Sequence, residues 1–366
     1  MTGIYIHVPF CARRCPYCDF YSVPYRADTA EQYTRAVCRN IVSLSGQGIS
    51  ADTVYFGGGT PSLLTGEQTG RIIKAVQNYV QLHDPEITLE ANPVTLTDRK
   101  LYELRQAGVN RLSVGVQTAD NDQLSFLGRL HDFPRAGKAV RDAAAAGFDN
   151  ISCDLMLGVK GQDIPSLDRT LEQLLSLPVT HLSAYMLQIE EGTPFDCDAV
   201  RRETAGEELM AELYLHLCGV MRAAGWEHYE ISSWASPGFR SRHNMKYWTL
   251  TPYIGIGAGA YSDFGGARYS CPRDIEAFIS AETQPCVYDD PPDRAEEYVM
   301  LSLRLSDGLD LARLREYPGG EMYARAAEKQ APAMIEHGLM IPTAAGFVLT
   351  DEGFLKSNAV IAGLLV

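Results

Sequence analysis

The chain has 366 residues, with 46% hydrophobic and 21% charged side chains, which suits a folded globular protein and excludes a disordered one. Its formal charge of −14 excludes a general nucleic-acid binder, because such a surface needs cations to neutralise phosphates. No apolar run reaches the roughly 18 residues of a membrane span, and the opening MTGIYIHVPF is no signal peptide, so a cytoplasmic protein is expected.

Along the first two thirds, short apolar runs alternate with amphipathic stretches. Strands are predicted over 4–10, 53–58, 86–91, 111–116, 150–157 and 181–189, and helices over 28–44, 66–81, 97–107, 134–146, 165–176 and 203–224. Strand starts are separated by 49, 33, 25, 39 and 31 residues, close to the roughly 30 or more of serial βα units. The fold class is therefore α/β, as a doubly wound sheet or a partial (β/α)6 TIM-like barrel. Barrels carry functional residues at the C-terminal ends of their strands, and polar residues recur there: Gly57 to Thr60, Glu90, Gln117 and Gln188. Asp154 lies inside an apolar run, where a lone carboxylate costs several kcal/mol, so a ligand contact is expected of it.

From about residue 235 the periodicity fades. Three parts are expected: a core barrel over 1–234, a Gly/Tyr-rich connector over 235–289, and a small α+β winged-helix-like domain over 290–366. The last part pairs helical patterning with two short strands around Ala344, Ala345 and Gly346. Residues 275–366 hold seven basic against 15 acidic side chains, which argues against DNA binding by that module. Two islands are less acidic: residues 1–60, with five Arg against four acids, and 237–274, with five basic against two acidic side chains.

The first island holds Cys11-Ala12-Arg13-Arg14-Cys15-Pro16-Tyr17-Cys18, a C-x3-C-x2-C loop directly after the first strand. Three thiolates on one loop suit three irons of a cubane cluster and leave the fourth iron open. Arg13 and Arg14 are expected to favour the thiolates. A closed zinc site is the alternative, with His7 or Cys38 as a fourth ligand, although the spacing is not paired. Cys38, Cys153, Cys197, Cys218, Cys271 and Cys286 lack ligand spacing and read as inert small hydrophobes. Gly57-Gly58-Gly59-Thr60 follows the second strand as a loop that lets backbone amides approach a ligand, and it lacks a phosphate-loop pattern.

This combination resembles the radical S-adenosylmethionine (SAM) superfamily. The similarity is closest to the oxygen-independent coproporphyrinogen III oxidase-like family and its haem chaperone branch, and it runs nearly the whole length. It is carried by YIHVPFC, CPYCDF, GGGTPSLL, LEANP, GVNRLSVGVQT, LGRLH and DLMLG. The resemblance implies a 4Fe-4S cluster on Cys11, Cys15 and Cys18, with SAM at its open iron. It also implies that Tyr5, Gly58, Gly59, Thr60, Glu90, Gln117, Arg129 and Asp154 surround SAM.

Two departures separate the chain from the oxidase itself. Phe20 stands where the oxidase pattern has a fourth cysteine, and four residues precede Tyr5 where the oxidase carries a longer segment. The second island adds Arg242-His243-Asn244-Met245-Lys246-Tyr247-Trp248, similar to the H-N-x-x-Y-W signature of the haem chaperones. His243 is expected to face haem, with Tyr247 and Trp248 offering flat faces to the macrocycle. The implied function is haem binding and delivery to an unidentified recipient haemoprotein. Oxidase or methyltransferase chemistry on a tetrapyrrole is the alternative, and enzyme activity stays open. Membrane association through the acceptor and a homodimer are compatible with this reading.

Overall fold

The computed structural model describes residues 1–365. Six parallel strands pair in chain order: β1 (Thr2–Val8), β2 (Ser50–Gly58), β3 (Gln81–Ala91), β4 (Arg111–Gln117), β5 (Asn150–Leu157) and β6 (His181–Met186). Between and after them lie α1 (Ala27–Val42), α2 (Gly66–Tyr79), α3 (Asp98–Ala107), α4 (Phe133–Ala145), α5 (Ile164–Leu175) and α6 (Glu207–Ala223). This is the partial barrel read from the sequence.

The strands alternate strictly. Ile4, Ile6 and Val8, Val54 and Phe56, Leu112, Val114 and Val116 are fully buried on the side packed by helices. The residues between them, on the other face, are polar: Tyr5 and His7, Thr53 and Tyr55, Thr88 and Glu90, Arg111 and Ser113, Ser152 and Asp154, His181 and Ser183. Because successive side chains of a strand point to opposite faces, these residues line one polar lumen. A barrel usually fills that space with branched aliphatics, so this lining is a departure that asks for a ligand.

The stretch expected to be a connector joins the same sheet. At one edge β7 (Glu227–Glu230) and β8 (Ser233–Ala235) add antiparallel to β6. At the other, β9 (Tyr253–Ile256) lies parallel to β1, and β10 (Tyr261–Phe264), β11 (Ala267–Ser270) and β12 (Val287–Tyr288) follow antiparallel. The sheet order is β12-β11-β10-β9-β1-β2-β3-β4-β5-β6-β8-β7. These added strands span only two to four residues, too short for a periodic pattern.

Near the C-terminus, Leu309–Asp310, Met340–Pro342 and Gly346–Leu349 form a small antiparallel sheet beside α8 (Arg294–Ser302) and α9 (Gly320–Glu336). Its apolar side continues the barrel's core through Tyr298, Val299, Phe354 and Ile361. Among the described residues no helix is long and apolar enough to cross a membrane.

A charge cluster fastens this region to the barrel sheet. Arg294 of α8 donates to both carboxylate oxygens of Asp263 on β10 at 2.6 Å, and Arg268 of β11 reaches Asp263 at 3.0 Å. Arg268 also bonds Glu297. Asp263 is 8% exposed, so its partners hold its carboxyl below the usual range against the cost of burial. Asp263→Ala should therefore leave two guanidinium groups short of a counter-ion and lower unfolding free energy by about 1–3 kcal/mol. Urea denaturation checks this; an unchanged midpoint would contradict the role.

Candidate functional site

The cysteine loop leaves the C-terminal end of β1, where Phe10–Cys11 pairs with Val23–Pro24 and closes the loop on itself. Cys18 N donates to Cys15 O at 3.1 Å, and Tyr25 N to Cys11 O at 3.0 Å. Cys11, Cys15 and Cys18 are free and partly buried. Burial pushes the Cys18 thiol up, and the neighbouring Cys11 and Cys15 add to it.

Arg14 favours the Cys18 thiolate through its charge, as expected. Arg13 donates to Gly128 O and Arg14 to Cys18 O at 3.0 Å, so both also hold the loop by hydrogen bonds. A further cation at the thiols is Arg129, whose Nη1 lies 3.6 Å from Cys15 Sγ and 3.4 Å from the Tyr17 hydroxyl. Its Nη2 donates to Gly115 O at 2.8 Å, while its buried Nε has no partner.

Gly58 and Gly59 sit beside this loop because nothing larger fits. Gly58 has φ 110°, and a Cβ there would lie 2.5 Å from the His7 ring. A Cβ on Gly59 would come within 2.6 Å of the Phe10 carbonyl oxygen. Thr60 Oγ1 lies 3.6 Å from Cys11 Sγ. The glycines thus bring a stretch of bare backbone against the cysteines.

Inside the lumen, Glu90 accepts from the Tyr55 hydroxyl at 2.8 Å and from Gly58 N at 3.2 Å. Burial raises its pKa to about 7, with Asp154 adding to the shift. Asp154 accepts from Ser113 at 3.2 Å, and burial raises it to about 6. The Tyr5 hydroxyl lies 3.0 Å from His7 Nδ1, and burial lowers His7 to about 4. Gln117, buried at a register shift in β4, holds φ 72° without being glycine, a strain that barrels place where function needs it. Tyr5, Gly58, Gly59, Thr60, Glu90, Gln117, Arg129 and Asp154 therefore share the lumen or its cysteine-bearing mouth.

The H-N-x-x-Y-W segment is elsewhere. It forms α7 (Arg242–Trp248), which meets the N-terminal ends of the strands, opposite the cysteines. Lys246 bonds Met1 O at 2.9 Å and Asp52 at 2.6 Å, and Arg242 bonds Asp84 O at 2.9 Å. Glu86 accepts from the backbone N–H groups of Arg242 and His243 at 3.3 and 3.2 Å. α7 is a plug in the floor of the barrel.

His243 has no exposed surface. Its Nδ1 lies 2.8 Å from Thr53 Oγ1 and its Nε2 2.9 Å from the Tyr247 hydroxyl. The ring stacks on Tyr55 at 5.0 Å and on Tyr5 at 6.3 Å. Burial, with Lys246 nearby, lowers its pKa to about 3, so it is neutral. Both ring nitrogens are therefore engaged within the barrel floor in this conformation. Tyr247 is held edge-on by His243 and Tyr253, which leaves half-buried Trp248 as the member of the three with no such ring partner.

Residues that the sequence reading did not single out complete the lumen: Tyr55, Tyr17, Arg111 and Tyr185. Strand alternation was the signal that could have found Tyr55, Arg111 and Tyr185.

The donor set fits a cluster and SAM. It has three free thiols, a guanidinium with an orphaned nitrogen beside one of them, a glycine cradle and buried carboxylates. Residues 5–174 match the Radical SAM superfamily, and residues 289–355 match the HemN C-terminal domain. The "Heme chaperone HemW" of Bacillus subtilis is 32% identical, with 100% of this chain and 99% of that protein covered. The "Heme chaperone HemW" of Escherichia coli is 30% identical, with 98% and 97% covered. Coproporphyrinogen III oxidase (HemN) from Escherichia coli, described as a radical SAM enzyme, superposes with a TM-score of 0.84 over 100% of this chain and 90% of that one. At 21% identity that likeness speaks for the fold alone.

Glu90 gives the lumen a measurable signature. Its carboxyl takes up a proton on folding at pH values where the unfolded chain has already lost one. That contribution to stability is complete below pH 4.5 and is lost as pH rises through about 7. In the cluster-free protein, Glu90→Gln should reduce the loss of unfolding free energy between pH 5 and pH 8 by about 1–3 kcal/mol. Urea titrations at the two pH values measure it, and an identical pH slope in both proteins would refute the assignment.

Proposed function

From the premise that this chain belongs to the HemW family of heme chaperones within the radical SAM superfamily, we propose that it binds haem and hands it to a recipient haemoprotein in the cytoplasm. The observation that carries the reading is the relation to the HemW proteins over the whole length, including the C-terminal region.

In this reading Cys11, Cys15 and Cys18 hold a 4Fe-4S cluster. When bound, the cluster supplies one-electron chemistry to the methionyl end of SAM. Thr60 and the Gly58–Gly59 backbone receive that end of the cofactor. Arg129 supplies positive charge beside Cys15 and steadies Tyr17. Burial raises both carboxyls, Glu90 to about 7 and Asp154 to about 6, so Glu90 is half-neutral near pH 7 while Asp154 stays mainly ionised, and both are suited to accept hydrogen bonds from a cationic cofactor. Tyr5 and Gln117 line the space between. His243 is a floor post that fixes Tyr5 and Tyr55, and Trp248 is the aromatic of α7 left to meet a macrocycle.

The test is anaerobic reconstitution with iron and sulfide, followed by haem titration, haem transfer to an apo-haemoprotein, and coproporphyrinogen turnover in the same preparation. Haem uptake and transfer are expected, with no porphyrinogen oxidation. Turnover with SAM consumption and no haem transfer would establish the oxidase reading instead. Replacing Cys11, Cys15 and Cys18 by Ala should abolish the visible absorption of the cluster. His243→Ala should cost about 2–4 kcal/mol of stability, because it opens a cavity and orphans Thr53 and Tyr247. The haem Soret band should keep its position in that variant; a shift would show iron ligation by His243.

A further inference from the structure

Arg111 is a charge in the wrong place for a purely structural residue. It heads β4, is 2% exposed, and shares its face with Ser113, Gly115 and Gln117. Among the described residues no carboxylate lies within 4 Å of its guanidinium, no side chain or carbonyl accepts from it, and Nε is buried without a partner. A buried guanidinium normally has an ion pair and several hydrogen bonds, since desolvation without them costs several kcal/mol.

The carboxylates that might have paired with it are committed elsewhere. Glu86 is taken by the backbone of α7. Glu90 is held by Tyr55 and Gly58, Asp154 by Ser113, and Glu230 by Ser232. Glu90, Asp154, His181 and His243 all feel the charge of Arg111 through space, so it projects into the lumen between them.

Its depth is defined by the strands. In register it lies in one row with Tyr5, Tyr55 and Thr88, directly above the row of Gly3, Thr53 and Glu86 that α7 seals. Gly115, whose carbonyl receives Arg129 beside the cysteines, is four residues further along β4, about 13 Å at ~3.3 Å per residue. The lumen is open to solvent on the way. Tyr185 of β6 points the same way as Ser183 and sits among Asp154, Glu230 and Glu90, yet it is 45% exposed.

We infer that Arg111 is the anchor of a carboxylate-binding subsite at the floor of the lumen, remote from the cluster end, which receives the propionate of a tetrapyrrole. The tetrapyrrole part rests on the proposed function; the carboxylate part does not. A guanidinium binds a carboxylate bidentately, and the low-dielectric lumen strengthens the pair. Among the described residues no group hydrogen-bonds the guanidinium, and a carboxylate of the cargo would.

The test compares wild type, Arg111→Gln and Arg111→Lys in three assays. First, haem and haem dimethyl ester, which lacks free propionates, are titrated into cluster-loaded protein. Wild type should prefer haem by roughly tenfold or more, Arg111→Gln should bind both alike, and Arg111→Lys should restore part of the preference. SAM affinity should stay within about twofold in all three proteins, because its carboxylate belongs at the cluster end. Second, unliganded Arg111→Gln should melt about 2–6 °C above wild type, since an unpaired buried charge has been removed. Third, glutarate should raise the melting temperature of wild type and not of Arg111→Gln. If wild type binds no haem but glutarate still stabilises it selectively, the subsite stands with a smaller carboxylate as its ligand and the haem reading falls. If wild type binds haem and its ester equally and glutarate does not distinguish the proteins, the inference is overturned. A lower melting temperature for Arg111→Gln would likewise overturn it by marking Arg111 as structural.

Discussion

The interior of this barrel is polar, and most of what is distinctive about the chain follows from that. Each of the six parallel strands buries aliphatic side chains outward against helices and directs hydroxyls, imidazoles, carboxyls and a guanidinium inward. The hydrophobic driving force is therefore spent on one face of the sheet only. The other face must satisfy its polar groups pairwise or wait for a ligand. Ser152 with His181 at 2.8 Å and His181 with Tyr229 at 2.6 Å show the first solution. Arg111 and the Nε of Arg129 show the second.

The two ends of the lumen divide the work. At the mouth, close backbone approach at Gly58 and Gly59 and the short pairing of Phe10–Cys11 with Val23–Pro24 fix three thiols next to Arg129. At the floor, α7 is fixed by Lys246, Arg242 and Glu86, and His243 stacks beneath Tyr5 and Tyr55. Tyr55 then bonds Glu90, and Glu90 bonds the backbone of the glycine loop. A continuous run of contacts thus links the H-N-x-x-Y-W helix to the cradle beside the cysteines.

Much of this was legible in the sequence. The parallel strands announced themselves because each is a run of β-formers at βα spacing, and their observed bounds differ from the predicted ones by a few residues. The glycine loop, Glu90 and Gln117 were visible because strand ends are where a barrel displays function, the cysteines through their spacing, and Asp154 as a lone carboxylate inside an apolar run. Strands β7 to β12 were hidden, since pieces as short as Val287–Tyr288 exist only through their partners. Arg111 was hidden for a different reason. Inside RLSVGV it reads as the polar edge of an apolar run, and only the register with Thr88 puts it in the lumen.

His243 illustrates why a ligand-type residue cannot be assigned by type alone. An imidazole ligates iron through a free nitrogen, whereas here one nitrogen meets Thr53 and the other Tyr247. Ligation would mean breaking one of those bonds and unstacking the ring from Tyr55, while Thr53 or Tyr247 is left buried without its partner. Each orphaned group costs about 1–3 kcal/mol, so a haem iron would have to return more than that before α7 moved. Arg111 faces the opposite balance. It already bears the cost of burial without a partner, so a carboxylate arriving there displaces nothing and recovers what the fold has given up. Between a satisfied histidine and an unsatisfied arginine, binding energy is to be sought at the arginine.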